Sequence, residues 1–481
     1  MREMSSPLSP GRRAFLRKAA ALAASPAARP VGGLAAALAT MGEASAAPDI
    51  PYKALVCVFM LGGNDDANTV VPYDAASWSA YSRIRAGVAH TQASLDATAL
   101  RPAVALAGGR QYALHPSMGA LAGLFHRGKM AVQLNVGPLV IPITRAQYES
   151  ADRRSFPLPP KLFSHNDQQS VWQSSSPEGS TVGWGGNLGD LALPYNGGSL
   201  FTCMSVSGNM VFLSGDQALQ YQVSPSGVVA VDGLASLWYG GDAVRQAFSQ
   251  VIQAPRAHVL ENEYNRVTQR SIASEARLRG ALDAVRLTTP FPASNPLASQ
   301  MRMVARLIGA RQSLGLVRQV FMVTLPGFDL HDNLLKAHGP LLQQVSEAMA
   351  AFHDATVELG VDQQVTAFTA SDFGRTLSPN GAGSDHGWGS HHWIVGGAVR
   401  GQAFYGTPPP VSAGETGSEA DQSHVGQGRL IPTTSVDQYA ATLSSWLGVP
   451  DPFMNQVVPN INRFGAAAGR PDYPWNLGFM N

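Results

Sequence analysis

Residues 319–331 read QVFMVTLPGFDLH and residues 365–375 read VTAFTASDFGR, with residues 334–359 between them. Gln319 to Leu325 is apolar and β-branched on both faces, the pattern of a strand buried inside a parallel sheet, and Pro326-Gly327 turns the chain out of it. Leu334 to Leu359 places apolar residues at 335, 341, 342, 345, 349 and 352, a helical spacing, and Val365 to Ala370 is the next strand. Strand, crossover helix and strand make a βαβ unit, whose two strands run parallel.

The same signature recurs outward from this unit. Lys53 to Leu61 (KALVCVFML) is another run apolar on both faces, ending in Gly62-Gly63-Asn64-Asp65. His115 to Gly128 has helical spacing, Met130 to Val136 is a strand, Trp393 to Gly397 a further short strand, and Ser435 to Leu447 a closing helix with Asp437 in its first turn. Residues 195–232 hold short alternating pieces such as Met210–Leu213 with Gly and Ser turns, a β pattern. Two helical patterns, 243–286 and 297–315, read as a helical insertion or outer layer at about 233–315. The fold class is α/β, with a central, mostly parallel sheet.

In a parallel sheet the loops leaving the C-terminal strand ends share one edge, where ligands bind. Three strands here end in acidic loops: Asp65 in GGND, Asp329 with His331 in GFDLH, and Asp372 in SDFGR. Asp385 and His386 follow, then His391 and His392 just before the strand at Trp393. Carboxylates gathered on one edge repel each other unless a cation neutralises them. Mixed Asp and His ligands suit a divalent metal, Zn²⁺ first, with Mg²⁺, Mn²⁺ and Ca²⁺ as alternatives. The expected metal ligands are Asp65, Asp329, His331, Asp372, Asp385 and His386. Two motifs are decoys. Asp372-Phe373-Gly374 spells the kinase magnesium motif without its HRD or VAIK partners, and Gly62-Gly63 lacks the third glycine of a dinucleotide site.

Composition narrows the class. The 481 residues are 45% hydrophobic, too many for a disordered chain, and 34 Lys+Arg against 33 Asp+Glu leave no basic footprint for nucleic acid. The two cysteines, Cys57 and Cys203, match no zinc-ribbon or CxxC spacing. The N-terminus reads PGRRAFLRK at 10–18, then a weakly apolar Ala-rich stretch ending in Ala44-Ser45-Ala46. This is the pattern of a twin-arginine export signal cleaved after Ala46. Pro26, Pro30, Gly32 and Gly33 interrupt it well short of the about 20 apolar residues of a membrane span. The mature protein is therefore expected in the periplasm or outside the cell, with the twin-arginine machinery as a partner and no membrane span. Residues 1–46 carry six basic and two acidic residues, so the mature chain holds 28 basic against 31 acidic. Residues 47–481 are expected to form a single domain.

Taken in order, the twin-arginine signal, GGNDDANTVVPYD at 62–74, HPSM at 115–118, SHNDQQSVWQ at 164–173, GFDLH at 327–331, SDFGR at 371–375 and SDHGWGSHHWIVGGAVRG at 384–401 resemble the exported bacterial "domain of unknown function 1501" family. That family looks like a branch of the alkaline phosphatase and sulfatase superfamily. The resemblance implies an alkaline-phosphatase-like three-layer sandwich with a helical insertion, and a two-metal site. By position, Asp65 looks like the first-strand ligand, Asp329 and His331 like the later Asp/His pair, Asp372 like the ligand on the next strand, and His386 like the last histidine. Ser164, at the start of a helix, is the implied nucleophile, favoured by the helix dipole and by a metal. Arg375 could hold an anionic substrate oxygen with its fork of donors or pair with a neighbouring aspartate.

This chain departs from the superfamily pattern in three places. Phe373 stands where a histidine usually follows the aspartate, so one site lacks a ligand unless His165, His391 or His392 supplies it. Asp329 and His331 are two residues apart where four is commoner. The CxPxR or SxPxR signature is absent, so formylglycine chemistry is not supported. The expected activity is metal-dependent hydrolysis of phosphate or sulfate esters, on small-molecule or saccharide substrates. The alternative is a non-catalytic exported binding or assembly protein of the envelope that keeps the fold and a degenerate metal site. Trp184, Trp388 and Trp393 suit either a sugar platform or the core.

Overall fold

A computed structural model describes residues 50–231, 233–234 and 241–481. The export signal expected at 1–46 lies outside the described residues, as do 235–240 within the expected insertion. The strands are β1 (Lys53–Leu61), β2 (Val70–Pro72), β3 (Tyr112–Leu114), β4 (Met130–Gly137), β5 (Cys203–Ser205), β6 (Gln220–Gln222), β7 (Arg318–Pro326), β8 (Val365–Ser371), β9 (Arg375–Pro379), β10 (Ser384–His386), β11 (Ser390–Gly396), β12 (Ala403–Tyr405) and β13 (Thr434–Ser435). The main sheet runs β12-β4-β11-β8-β1-β7-β5-β6, with β13 beside β4. Its pairings are parallel except the two made by β11, which is antiparallel to β4 and β8. β9 and β10 form a separate hairpin, and β2 pairs with β3.

The helices that matter here are α1 (Gly119–His126), α2 (His165–Ser174), α3 (Trp184–Ala192), α4 (Gly241–Gln253), α5 (Val259–Asp283), α6 (Pro296–Gly309), α7 (Leu334–Glu358) and α8 (Val436–Leu447). Two cores explain why β1 is apolar throughout. Ala54, Val56, Val58 and Met60 pack on one face with Leu121 of α1, Val304 of α6 and Leu342 of α7. Leu55, Cys57 and Phe59 pack on the other with Leu188 of α3 and Tyr439 of α8. The molecule is thus a three-layer sandwich about a mostly parallel sheet, and each large apolar side chain buried in it contributes about 1.5–3 kcal/mol.

Register sets the functional edge. Leu61 stands opposite Pro326, and Met60 opposite Ser371, so β1, β7 and β8 end level and release their acidic loops side by side.

Local structure departs from the sequence reading in four places. Met210–Leu213 is not a strand: Val211–Leu213 forms a 3-10 turn whose Phe212 ring meets Trp184 at 4.7 Å, so packing overrides the alternation. The pattern at 243–286 is two helices, because Pro255 falls between α4 and α5 and cannot donate to a helical ladder. Within the expected insertion, α4 and α5 are largely solvent-facing, whereas Leu297, Met301, Val304 and Leu307 of α6 are fully buried in the sandwich. His391 and His392 lie inside β11, since its pairing with β4 begins at Ser390. Trp184, Trp388 and Trp393 are all buried in the core.

Candidate metal centre

The loop after β1 is shaped to admit the loops beside it. Gly62 has φ +116°, and a Cβ there would come within 2.4 Å of the Asp329 backbone nitrogen. Gly63, at φ +79°, lies under the ring of Phe373, which a Cβ would meet at 2.4 Å. No other residue takes both the positive φ and the close approach without strain. Asp329 can therefore sit directly above the β1 turn, half exposed, at the centre of a group of histidines.

Three histidines face Asp329 from three loops. His331 Nε2 lies 3.1 Å and His386 Nε2 3.3 Å from Asp329 Oδ1, and His165 Nε2 lies 3.4 Å from Oδ2. His331 Nε2 and His386 Nε2 are 3.0 Å apart. Each ring is tied by its other nitrogen: His165 Nδ1 to Asp372 Oδ2 at 2.7 Å, His331 Nδ1 to Asp385 Oδ1 at 3.1 Å, and His386 Nδ1 to the Phe163 carbonyl at 2.7 Å. Carboxylate and carbonyl oxygens only accept, so each Nδ1 donates. In the neutral rings, each Nε2 then presents a lone pair to the others and to a carboxylate.

Three lone pairs and an anion face to face repel one another unless a cation lies among them. The separations, 3.0 to 3.4 Å, lie close to the edges of a tetrahedron around Zn²⁺, which at ligand distances of about 2.0–2.2 Å are about 3.3–3.6 Å. Tying a ligand's outer nitrogen to a carboxylate or carbonyl is also how metal-binding histidines are held. The donor set fits a divalent metal, with His165, Asp329 and His386 as the core of the site. His331 closes the group.

The electrostatics agree. Burial pushes the Asp329 carboxyl up, but Arg375, donating from Nη1 to Oδ1 at 2.6 Å, outweighs it and holds Asp329 below the usual range, with His165 and His331 adding to the effect. The hydrogen bond from Asp372 raises the proton affinity of His165. Burial lowers that of His386, whose ring packs 4.5 Å from Phe373. Asp372 also accepts from Gln169 Nε2 at 2.7 Å and from the Gly62 backbone N–H at 3.0 Å.

The sequence-predicted residues sort into three groups. Asp329, His331 and His386 meet at the centre. Asp372 and Asp385 stand behind it and orient His165 and His331. Asp65 is not brought to the centre: it is fully buried and paired with Arg85 Nη2 at 2.7 Å, and it also accepts from Ser384 Oγ at 2.6 Å and the Asn68 N–H at 2.9 Å. Arg375 takes the aspartate-pairing role, bonded to Asp329, Gly62 O and Ser384 O. Ser164 begins α2, and its hydroxyl donates to Asp167 Oδ2 at 3.0 Å and bonds none of the three histidines.

His165, bonded through Nδ1 to Asp372 Oδ2, stands beside Asp372 where the expected histidine is missing from the sequence. His391 and His392 do not supply it: both are buried, with their Nδ1 atoms bonded to the Asn135 N–H and to Thr369 Oγ1. Phe373 itself packs against His165 with ring centroids 4.9 Å apart, bracing that histidine. Sequence reasoning did not reach Gln169, Arg85 or the Phe163 carbonyl. A backbone oxygen has no sequence signature, while the polar SHNDQQ run at the start of α2 was a usable signal for Gln169.

Among solved structures, Ps i-CgsB in complex with k-i-k-neocarrahexaose is similar to this chain with a TM-score of 0.37 and 9% identity, covering 89% of this chain and 78% of that one. The PsFucS1 sulfatase from Pseudoalteromonas sp. gives 0.36 and 8%, covering 88% and 73%. The lipoteichoic acid synthase LtaP from Listeria monocytogenes gives 0.32 and 8%, covering 84% and 73%. No curated protein matches the sequence. Residues 52–439 match the family described as "Protein of unknown function (DUF1501)", and the chain belongs to that family.

Proposed function

We propose that the protein is an exported, metal-dependent hydrolase of phosphate or sulfate esters, in a branch of the alkaline phosphatase and sulfatase superfamily. One observation carries this reading: three histidines with tied Nδ1 atoms turn their Nε2 atoms toward Asp329, and those of His331 and His386 also meet each other. A divalent ion in that group, Zn²⁺ by the donor chemistry, acts as a Lewis acid that neutralises charge on ester oxygens and activates a hydroxyl.

The chain's own residues do the rest. Asp329, His165, His331 and His386 hold the ion. Asp372, Asp385 and the Phe163 carbonyl fix the three rings, and Arg375 fixes Asp329. The half-exposed side chains of Asp329 and His331 leave the centre open to a substrate from solvent, including the terminal residue of a saccharide. Ser164 is the nucleophile candidate, because the Asp167 carboxylate that now accepts its hydrogen bond is placed to take its proton. Among the described residues no helix is long and apolar enough to cross a membrane.

The test is a panel of phosphate and sulfate esters assayed with the metal-loaded wild type, Asp329→Ala and Ser164→Ala. Turnover abolished by Asp329→Ala supports the reading. Turnover that survives Ser164→Ala assigns the attack to water. A metal-loaded protein that turns over no ester moves the reading to an envelope binding protein.

A further inference from the structure

Three adjacent parallel strands, β1, β7 and β8, each deliver an aspartate to one edge, yet these aspartates meet different cations. Asp329 and Asp372 belong to the histidine group. Asp65 instead faces Arg85, the residue that closes the helix Ala75–Ile84, and both side chains are essentially sealed from solvent. Arg85 cannot swing away readily, because Nη1 donates to the Thr376 carbonyl at 3.0 Å and the Leu377 carbonyl at 3.2 Å while Nη2 holds Asp65. Both oxygens of Asp65 are already in use, Oδ1 by the Asn68 N–H and Oδ2 by Arg85 and Ser384. A metal ion brought to Asp65 would have to displace a buried guanidinium or share its carboxylate with it in a dry site, whereas Asp329, which also meets an arginine, does so through Oδ1 alone and is half exposed to screening solvent.

Charge counting points the same way. Asp65, Asp329, Asp372 and Asp385 face two buried arginines, Arg85 and Arg375. Asp66, the next carboxyl along, is pushed up to about 7 by burial and by its neighbour Asp65, so it adds only part of a charge at neutral pH. Arg429, half-buried, donates to the His386 carbonyl on the outer side. One divalent ion brings this edge close to neutrality, and a second leaves it with excess positive charge.

We infer that this edge binds a single divalent cation, at Asp329 and the three histidines, and that the Arg85 guanidinium permanently fills the second cation position, beside Asp65. This inference rests on the reading that the Asp329 centre binds metal, and it departs from the two-metal site that the family resemblance implies. Arg85 is then a positioning residue that neutralises Asp65 and anchors β9 to the β1 turn.

The test is metal content per chain, by elemental analysis of the purified protein after saturation with Zn²⁺ and removal of excess. The charge-balanced double variant Asp65→Asn/Arg85→Met is analysed alongside Asp329→Ala, with circular dichroism to confirm folding. About one equivalent in the wild type and the double variant, with none in Asp329→Ala, is the expected result. Two equivalents in the wild type, or loss of an equivalent in a folded double variant, overturns the inference. The wild-type stoichiometry decides even if the double variant does not fold. No metal in the wild type overturns the proposed function first, and this inference with it.

Discussion

Phe373 determines how the metal centre is built. Its ring lies between Gly63 and the imidazoles of His165 and His386, at 4.9 Å and 4.5 Å, and so braces two of the three histidines. Asp372 completes the support of His165 through Nδ1. Removing that carboxylate as Asp372→Asn is expected to weaken metal affinity by roughly 10- to 100-fold, measured by competition with a chelator, because outer partners fix the orientation and basicity of a ligand. Unchanged affinity would show that Asp372 does not support the site. Gly63→Ala is expected to cost more than about 1 kcal/mol in denaturant unfolding, since it forces a side chain into φ +79° and against the Phe373 ring. Acids at strand ends were legible in the sequence, because a parallel sheet gathers such loops. Which carboxylate faces an ion and which faces a ring nitrogen was not, because that depends on side-chain directions set by other loops. Asp65 and Arg85 are 20 residues apart in the chain, with no spacing rule to pair them.

At the scale of elements, the βαβ unit was readable because helices cover both sheet faces, so β1, β7 and β8 carry apolar residues on both faces along most of their length. Where packing competes with pattern, as at Phe212, or a proline cuts a helical repeat, as at Pro255, the sequence pattern alone was insufficient. The junction of α7 with the β1 turn has its own pH signature. Burial depresses His338 on α7 to about 4 and His115 to about 3, and the rings lie 5.8 Å apart, with His338 Nε2 bonded to Asn64. The unfolded chain takes up these protons near pH 6.5, the folded chain only near 3–4, so stability is lost as pH falls below about 6.5. Asp66 works in the opposite sense. Its folded carboxyl keeps a proton up to about 7, whereas the unfolded one releases it near 3.8, so its contribution is lost as pH rises through 7. Denaturant unfolding of the metal-free protein is expected to show stability rising from about pH 4 to 6.5, where the two histidines outweigh Asp66, and levelling off once Asp66 is ionised above about 7. A flat profile between pH 4.5 and 8.5 would contradict these assignments.

For the whole molecule, the two cores account for the high apolar content, and Cys57 and Cys203 are buried and unpaired. No disulfide joins the described residues, so a metal held as proposed would be the strong cross-link between the loops of β7, β10 and α2. Binding to the folded state alone adds about 4 kcal/mol at a thousandfold excess over Kd. Chelation is therefore expected to lower the melting temperature by several degrees, with recovery on adding Zn²⁺, followed by calorimetry; identical melting curves would deny the metal a stabilising role. The central claim is tested most directly by anomalous diffraction at the zinc edge from crystals of the Zn²⁺-loaded protein. The account predicts one peak within bonding distance of Asp329 and the Nε2 atoms of His165, His331 and His386, with none beside Asp65. No peak at Asp329, or a peak bonded to Asp65 with Arg85 displaced, would contradict it.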